Sequence, residues 1–377
     1  MFSLGGNMAI NVLNKIKLKL CEDIFFSASL LAVIITSFFN IPRIDYIDFK
    51  VIACLFELMI IIKVFEEYSL LSYISVAILN SCKNQRILTQ VLCLISFVFS
   101  MLLTNDVSLL TVLPIMVLIS QKSDFNIIIP SVMVTISANL GSSATPMGNP
   151  QNLYIFSFFK LNAKSFFNFS LPICIISLIL IILISFIIKP KQINCDMSCI
   201  KIVEKKKISI FSILFVLIIL SVFGMVYYLA SLFVVVLITL ILNKSTFKKV
   251  DYKLLITFIC FFIAVGNISN ISILKSNLSN ITQTMGASYI VSIILSQIIS
   301  NVPSTILLAP FTKYSYALFC GANIGGLGTP IASLASLISY KIFANEYPQK
   351  KKEYLVKFTI LNFFFLVVLG TFFYSRM

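Results

Sequence analysis

The sequence predicts an all-α polytopic membrane protein with two inverted-topology repeats, about nine crossings, two re-entrant hairpins and two broken helices. Three observations predict this fold: the composition, a series of long apolar runs, and a similarity between the two halves of the chain. Of the 377 residues, 59% are hydrophobic and only 11% are charged. A water-soluble protein of this size needs more polar surface, so the chain is predicted to lie in a lipid bilayer.

The residue types also exclude several classes of function. The sequence contains no histidine, which excludes His-based metal sites, Ser-His triads and imidazole proton relays. The net charge of +15 sits in short basic clusters between apolar runs, a pattern that favours contact with the cytoplasmic lipid surface over nucleic acid. Nine cysteines are scattered, mostly in apolar runs. Cys195 and Cys199 lack a second pair and are weak evidence for a metal site, so no cofactor is predicted.

Nine apolar runs are long enough to cross a bilayer, at roughly 20 residues each. They lie near residues 24–41, 51–66, 127–160, 168–188, 208–223, 226–242, 253–268, 315–343 and 354–374. Two further runs, 87–120 and 287–312, have polar residues at their centres and are predicted to be re-entrant hairpins. A hairpin returns to the side from which it started. With that count the main basic loops share one side with the N-terminus, and the positive-inside rule makes that side cytoplasmic.

The two halves of the chain resemble each other at three places, in the same order. DFKVIACLF at Asp48 pairs with DYKLLITFI at Asp251, LLTNDVSLLTVLP at Leu102 with IISNVPSTILLAP at Ile298, and ANLGSSATPMGNPQNL at Ala138 with ANIGGLGTPIASLASL at Ala322. An odd number of predicted crossings separates the copies, so the second is inverted relative to the first, as in secondary transporters. Segments 66–81 and 270–286 fall at equivalent places and are predicted to be interfacial helices.

These patterns divide the chain into four predicted segments. They are a cytoplasmic N-terminal segment 1–23, a first repeat 24–190 with hairpin 87–120 and broken helix 127–160, a basic cytoplasmic loop and linking helix 191–225, and a second repeat 226–377 with hairpin 287–312 and broken helix 315–343.

The four polar breaks in the apolar pattern are predicted to converge on one binding cavity. Irregular backbone at membrane depth must be buried in protein or line a wet cavity. At the hairpin tips, Asn, Thr and Ser suit helix N-caps, and Pro303 suits the first turn of a half-helix. Free amides at such a turn suit an anion, and the carbonyls opposite suit Na+.

In the broken helices, Gly141, Gly325, Gly326 and Gly328 are predicted to allow positive φ and close backbone approach. Thr145, Asn149 and Thr329 each precede a proline and are predicted N-caps. The alternative is that glycine and proline only kink tightly packed helices. The predicted substrate- and ion-binding residues are Thr104, Asn105, Asp106, Asn139, Gly141, Thr145, Asn149, Gln151, Asn152, Ser300, Asn301, Ser304, Thr305, Asn323, Gly325 and Thr329.

Ionisable residues inside a membrane cost roughly 2.5–3.5 kcal/mol each on insertion scales. Asp106, at the first hairpin tip, is predicted to coordinate a cation or to couple transport to protons, and the alternative is a carboxylate satisfied by nearby amides. The second hairpin has Val302 at that position, so coupling is predicted to be asymmetric. Glu57, with Lys63 six residues later, is predicted to reach an interface or a structural partner instead.

The break residues also differ between the copies in their amides. No Lys or Arg falls at a break, so an anion there depends on amides, hydroxyls and a co-bound cation. The first copy has GNPQN where the second has IASLA. Because Asn149, Gln151 and Asn152 offer amides that the second copy lacks, substrate selectivity is predicted on the first side.

The break motifs TNDVSLLTVLP, ANLGSSATPMGNPQN, SNVPST and GANIGGLGTP resemble the ion transporter superfamily of citrate and dicarboxylate symporters, arsenite pump membrane subunits and Na+/H+ antiporters. The resemblance covers roughly residues 45–345, and GNPQN is similar to citrate-transporter-like bacterial permeases. In dicarboxylate members a Ser-Asn-Thr tip motif helps bind Na+ and carboxylate, which implicates Thr104, Asn105, Ser300 and Asn301. Asp106 departs from that motif and is similar to the arsenite-pump and antiporter branches. The resemblance also implies elevator-type movement, commonly in a homodimer.

We therefore expect an ion-coupled secondary transporter of an inorganic or small organic anion in a bacterial cytoplasmic membrane, with Na+ or H+ as coupling ion. The alternative cargo assignment is a Na+/H+ antiporter or an arsenite-type efflux permease. A channel is a third option, and its conductance would not depend on a coupling gradient. An intramembrane enzyme would need a nucleophile with a base or a metal site. The sequence has no Ser-Lys or paired-Asp arrangement at matching depth, so no enzyme is predicted.

Overall fold

The structure, a computed structural model, describes residues 24–79, 82, 84–123, 125–193 and 204–377. The predicted N-terminal segment 1–23 and the pair Cys195 and Cys199 lie outside these residues. Within them the regular secondary structure is helical, and one isolated β-bridge joins Asn84 to Gln192. The all-α prediction is therefore confirmed for the described chain.

Seventeen α-helices are present in the described residues, connected by short 3-10 turns and loops. The first half contains α1 (Ile24–Ser37), α2 (Phe49–Glu67), α3 (Leu70–Leu79), α4 (Gln85–Leu102), α5 (Asn105–Ser123), α6 (Ile128–Gly141), α7 (Pro150–Phe158), α8 (Ala163–Ser185) and α9 (Lys205–Val222). The second half contains α10 (Tyr228–Leu242), α11 (Tyr252–Ser269), α12 (Ser272–Ile281), α13 (Met285–Ile299), α14 (Asn301–Leu308), α15 (Ser315–Gly325), α16 (Leu334–Glu346) and α17 (Lys351–Tyr374).

Polar side chains set the start of several of these helices. A cap side chain accepts a hydrogen bond from a free backbone N–H of the first turn, which satisfies a donor that has no partner within the helix. The caps with this bond are Asn84 before α4, Asn162 before α8, Asp251 before α11 and Thr284 before α13. The polar residues between the apolar runs therefore define the helix boundaries.

Several helices have the length and the apolar surface of membrane spans. Within the described residues, four segments are long and apolar enough to cross a bilayer, or five if α12 and α13, bent by 110° at their junction, form one span. The four are Gln85–Leu102, Ala163–Ser185, Tyr252–Ser269 and Pro348–Tyr374. Large apolar side chains are exposed, such as Ile213, Phe233 and Ile241 at 68%, 67% and 72%. The protein is therefore a multi-pass membrane protein, as the composition predicts.

The two polar-centred runs each form a pair of helices on either side of the polar tip. The first pair is α4 and α5. Its helices have 18 and 19 residues, and α4 alone reaches the length of a crossing. Pro114 lies inside α5 without ending it. The second run is shorter, with 15 residues in α13 and 8 in α14. The two runs thus share a polar tip and differ in helix length.

The described chain forms two compact units. The first comprises residues 24–52 and 251–277. In it α1 packs against α11, and the Asn267 Nδ2 group donates to Thr36 Oγ1 at 3.2 Å. The second comprises residues 53–250 and 278–377 and contains all four polar breaks.

In the second unit, closely packed helix pairs position the breaks. The most extensive contacts in this unit join α4 to α6 and α13 to α15. A Cβ atom added at Gly141 would lie 2.6 Å from Ser100 Oγ, and one added at Gly325 would lie 2.9 Å from Ser296 Oγ. Small residues at these contacts let the backbones approach. Each broken helix is thereby held against the first helix of the neighbouring polar-tipped pair.

Candidate functional site

Asn139, the last polar residue of α6 before the first break, joins three of the four breaks. Its Oδ1 atom accepts hydrogen bonds from Asn105 Nδ2 at 3.1 Å and Ser333 Oγ at 3.0 Å. Its Nδ2 group donates to Ser336 Oγ at 3.1 Å. All four side chains are buried. The first tip and both broken helices therefore meet around one amide group.

A second amide pair joins the two broken helices directly. The Nδ2 group of Asn323, in α15, donates to Asn152 Oδ1 of α7 at 2.8 Å and to the Phe319 carbonyl at 2.8 Å. Asn152 in turn donates to the Ser142 carbonyl at 3.0 Å. The Asn323 Oδ1 atom has no hydrogen-bond partner within the described residues. The amide pair therefore has one buried hydrogen-bond acceptor, Asn323 Oδ1, that is available to a ligand.

Gln297, near the end of α13, ties the second tip to the second break. Its Nε2 group donates to the carbonyls of Gly325 at 2.7 Å and Leu327 at 2.9 Å, and its Oε1 atom accepts from the Thr329 N–H at 2.9 Å. The sequence prediction missed Gln297. A glutamine inside an apolar run, one turn before the tip, is the signal that would have found it.

The second hairpin tip has an unusual backbone conformation. Ser300 adopts φ = +74°, a region that non-glycine residues seldom occupy. Its hydroxyl does not cap α14 and instead donates to the Ala332 carbonyl at 3.3 Å. Nearby, Asn301 Nδ2 lies 2.7 Å from the position that a Cβ atom would take at Gly326. A side chain at Gly326 would therefore collide with the tip.

The predicted N-caps are realised only in part. Thr145 caps the 3-10 turn Pro146–Gly148 and accepts from the Gly148 N–H at 3.1 Å. Asn149 and Thr329 stand at cap positions without a capping bond, because their side chains bond elsewhere. Asn149 donates to Ser142 Oγ, and Thr329 donates to the Gln297 carbonyl at 3.3 Å. Tertiary partners thus replace the local cap at two of three positions.

The predicted use of positive φ at the break glycines holds at one position. Gly328 has φ = +101°, whereas Gly141 and Gly326 have φ of −62° and −66°. Gly141 and Gly325 are the last residues of regular helices. The reason for glycine there is the close approach to α4 and α13, the second of the two roles considered for these residues.

The hydroxyls of the second hairpin are engaged in local bonds. Ser304 donates to the Ser292 carbonyl at 3.4 Å, and Thr305 donates to the Asn301 carbonyl at 2.7 Å. At the first tip, the Thr104 carbonyl accepts from the Ser108 N–H at 3.1 Å. In this conformation these predicted residues support the tips through the backbone.

Asp106 and Gln151 are the predicted residues with the clearest polar capacity. Asp106 lies in the first turn of α5, where the helix dipole stabilises a negative charge, and its N–H donates to Asn105 Oδ1 at 3.0 Å. Gln151 is fully buried in α7, and neither atom of its amide has a hydrogen-bond partner within the described chain. An unpaired buried amide is costly, so Gln151 is suited to receive a polar ligand.

Fixed positive charge is absent from this region. Among the described residues no lysine or arginine side chain is buried. The three ion pairs in the same ranges are Arg43–Asp45, Lys63–Glu66 and Lys249–Glu67. No group of three or more Cys, Asp or Glu residues placed to hold a metal occurs in the described part of the chain. The polar region is therefore built from amides, hydroxyls and one carboxylate.

A cavity of about 460 Å³ opens elsewhere in the second unit. It lies between α2, α3 and α5, and its polar lining comes from Lys63, Glu66, Ser72 and Thr111. None of the predicted binding residues lines it. The amide-rich contacts between the breaks and this cavity are thus separate features.

Comparison with known proteins identifies relatives over most of the chain. A protein-family model described as citrate transporter matches residues 23–314. An uncharacterized transporter of Methanocaldococcus jannaschii is 35% identical over 325 residues, which are 84% of this chain and 88% of the relative. Inner membrane protein YbiR of Escherichia coli is 28% identical over 298 residues, 78% of this chain and 80% of that protein. A putative transporter arsB of Dictyostelium discoideum is 31% identical over 141 residues, 36% of this chain and 25% of that protein.

Proposed function

This chain belongs to the citrate transporter family, and we propose that it is an ion-coupled secondary transporter of an inorganic or small organic anion. It works in the bacterial cytoplasmic membrane, with its N-terminus in the cytoplasm, by elevator-type alternating access. Na+ or H+ is the coupling ion, and the working assembly is a homodimer. The substrate binds where the four breaks meet, and Asp106 serves the coupling ion.

The observation that carries this proposal is a reciprocal pair of contacts between the two copies. In the alignment of the broken helices, Asn139 corresponds to Asn323, and Asn152 corresponds to Ser336. Asn139 of the first copy donates to Ser336 of the second at 3.1 Å, and Asn323 of the second donates to Asn152 of the first at 2.8 Å. Exchange of equivalent contacts is what a pseudo-two-fold relation between inverted repeats produces, and transporters bind substrate at that interface.

Contacts within each copy match in the same way. Ser108 donates to the Ser96 carbonyl at 2.8 Å in the first copy, and Ser304 donates to the Ser292 carbonyl at 3.4 Å at the equivalent positions of the second. The threonine hydroxyl of each broken helix likewise donates to a carbonyl just before the tip, at Met101 in the first copy and at Gln297 in the second. These repeated contacts support two inverted copies with polar tips.

The chemistry of the meeting point favours a small polar solute. Amide N–H groups such as that of Gln151 donate to anionic oxygens, and amide oxygens such as Asn323 Oδ1 coordinate a cation or accept a solute hydroxyl. No buried lysine or arginine is available in the described residues, so the charge of an anion is balanced by a co-bound cation. Asp106 supplies the negative charge that attracts this cation.

Transport into proteoliposomes tests the function. We expect uptake of at least one member of a panel of anions when a Na+ or an H+ gradient is applied, each gradient in a separate experiment. Asn105→Ala and Asn301→Ala at the hairpin tips are expected to reduce this flux at least tenfold. Asn362→Ala is the matched control, since Asn362 is a buried asparagine of α17 whose one bond, at 2.9 Å, stays within its own helix.

Two outcomes would contradict the proposal. Equal flux in the tip variants and in the Asn362 control would place the binding site elsewhere. Flux that persists unchanged when both gradients are collapsed, with single-channel conductance, would identify a channel. Gln151→Leu then tests substrate selectivity, because it replaces the buried amide with an apolar side chain of similar size.

The second candidate function is a Na+/H+ antiporter or an arsenite-type efflux permease. It is favoured by Asp106 together with the absence of a buried lysine or arginine in the described residues, since a carboxylate near amides suits a cation or an uncharged solute. An antiporter would transport no anion of the panel and would lose pH-dependent cation exchange in Asp106→Asn.

A further inference from the structure

Glu57 is a fully buried carboxyl group that the proposed transport site does not use. It lies in the middle of α2 with 0% of its surface exposed, and neither carboxyl oxygen has a hydrogen-bond partner within the described residues. A carboxylate without donors in an apolar interior is strongly disfavoured in its ionised form. An ionisable residue in this setting therefore requires a partner or a bound ion.

Ser231 of α10 is the polar side chain that approaches this carboxyl group. It is itself fully buried, and its hydroxyl has no partner at hydrogen-bond geometry within the described residues. Two polar groups without partners thus face each other from neighbouring helices. The serine hydroxyl can donate to the ionised carboxylate, and a protonated carboxyl group can donate to the serine oxygen, so this pair can form a hydrogen bond in either protonation state.

The charged groups of α2 itself do not compensate Glu57. Lys63, the lysine nearest along the chain, is bound to Glu66 at 2.7 Å. Glu67 is bound to Lys249 at 3.0 Å, roughly 15 Å along the helix from Glu57 at 1.5 Å per residue. Lys50 lies two turns before Glu57. The lysines near Glu57 along α2 are therefore paired with other glutamates, as Lys63 is with Glu66, or lie two turns away, as Lys50 does.

Helix α10, segment 244–249 and helix α9, which contact α2, offer only peripheral lysines, and the carboxylate of α5, Asp106, lies in the first turn of that helix at the first tip. Helix α10 carries no charged residue. Segment 244–249 contacts α2 through the rings of Phe247 and Phe56, 6.3 Å apart, and its lysines 244, 248 and 249 are exposed. Helix α9 contacts α2 through Phe215, and its lysines 205–207 are confined to its first turn, with Lys207 over the Tyr68 ring. These groups face the end of α2 and not Glu57.

The ligand that fits this pair is the proton. An oxygen-coordinated cation such as Ca²⁺ takes six or more oxygens, and the carboxyl group and one hydroxyl supply three. A proton requires one oxygen to carry it and one to accept its hydrogen bond, which is what Glu57 and Ser231 provide. We propose that Glu57 and Ser231 form a proton-binding site in the membrane interior, separate from the four breaks.

Infrared difference spectroscopy of the intact protein in lipid tests this site without any substrate. A protonated carboxyl group has a carbonyl stretch that its ionised form lacks. We expect a band of this kind near neutral pH that disappears as the pH is raised, shifts in D₂O, and is absent in Glu57→Gln. Ser231→Ala is expected to shift the band and its titration midpoint, because it removes the hydrogen-bond acceptor.

Two further variants make the assignment specific. Ser177→Ala is the matched serine control, since Ser177 is also buried in a membrane helix with an unpaired hydroxyl in the described residues, and it is expected to leave the band unchanged. Asp106→Asn is expected to leave it unchanged as well, so that failure of this site and failure of the transport proposal are distinguishable. A band that is absent at all pH values, or one that survives in Glu57→Gln, overturns the proposal. So does a band that is insensitive to pH and D₂O, because that group does not exchange its proton.

Discussion

Replacing Asn139 with alanine removes the amide group that joins three breaks, and the structure predicts the magnitude. The variant loses three buried hydrogen bonds, from Asn105, from Ser333 and to Ser336, at 3.0–3.1 Å. At about 1 kcal/mol net for each bond, the unfolding free energy falls by about 3 kcal/mol, and more if the three partners stay dry and unpaired. For a unit of this size that corresponds to a decrease of about 5 °C in melting temperature.

A thiol-reactive fluorogenic dye measures this change in detergent. The six cysteines of the described residues are buried, so the dye reacts with them as the fold opens. Asn362→Ala is the reference, because the amide of Asn362 makes one bond and its Oδ1 atom has no partner in the described residues. For Asn362→Ala we expect a decrease in melting temperature about one third as large as that for Asn139→Ala. Equal melting temperatures for the two variants would refute the reasoning that the hydrogen bonds of Asn139 stabilise the fold more than that of Asn362.

Three further predictions follow from the same contacts. Gly141→Ala is expected to lower stability by about 1–3 kcal/mol because its Cβ would lie 2.6 Å from Ser100 Oγ, while Gly370→Ala, with its nearest neighbour at 4.0 Å, should be neutral in the same dye assay. Gln297→Leu removes the bonds that hold the second break and is expected to abolish flux in proteoliposomes, and a variant with full flux would show that those bonds are dispensable. Asp106→Asn should keep the wild-type melting temperature while flux no longer responds to the coupling gradient; a retained response would assign coupling to another group.

The two copies differ in how the amides at their breaks are paired. Both side-chain amide atoms of Asn139 have partners, whereas the Oδ1 atom of its counterpart Asn323 has none in the described chain. Three amides distinguish the first copy. Asn149 bonds to Ser142, Asn152 bonds to Asn323, and Gln151 has no partner in the described residues. Gln151 is therefore the amide of the first copy that we propose for substrate selectivity.

Helix positions were predictable from the sequence because they depend on local chemistry. The apolar runs correspond closely to helices such as α8, α10 and α11, and the caps Asn162 and Asp251 begin two of them. The re-entrant path of the first hairpin stays a prediction. Its two helices have 18 and 19 residues, and Pro114 lies inside α5 without ending it. A proline in an apolar run does not by itself tell whether neighbouring groups compensate for the lost hydrogen bond.

The sequence by itself determined the membrane environment, the helical fold, the four polar breaks and the correspondence between the two halves, because hydropathy and residue type act locally and are legible along one chain. Only the tertiary structure decided which polar groups bond to one another. Both amide atoms of Asn139 have partners, Gln151 and Glu57 have none in the described residues, and Gln297 bonds to a break 28 residues further along the chain. The physical reason is that a buried polar group must find a partner in space, and its partner here is up to 197 residues away in the chain.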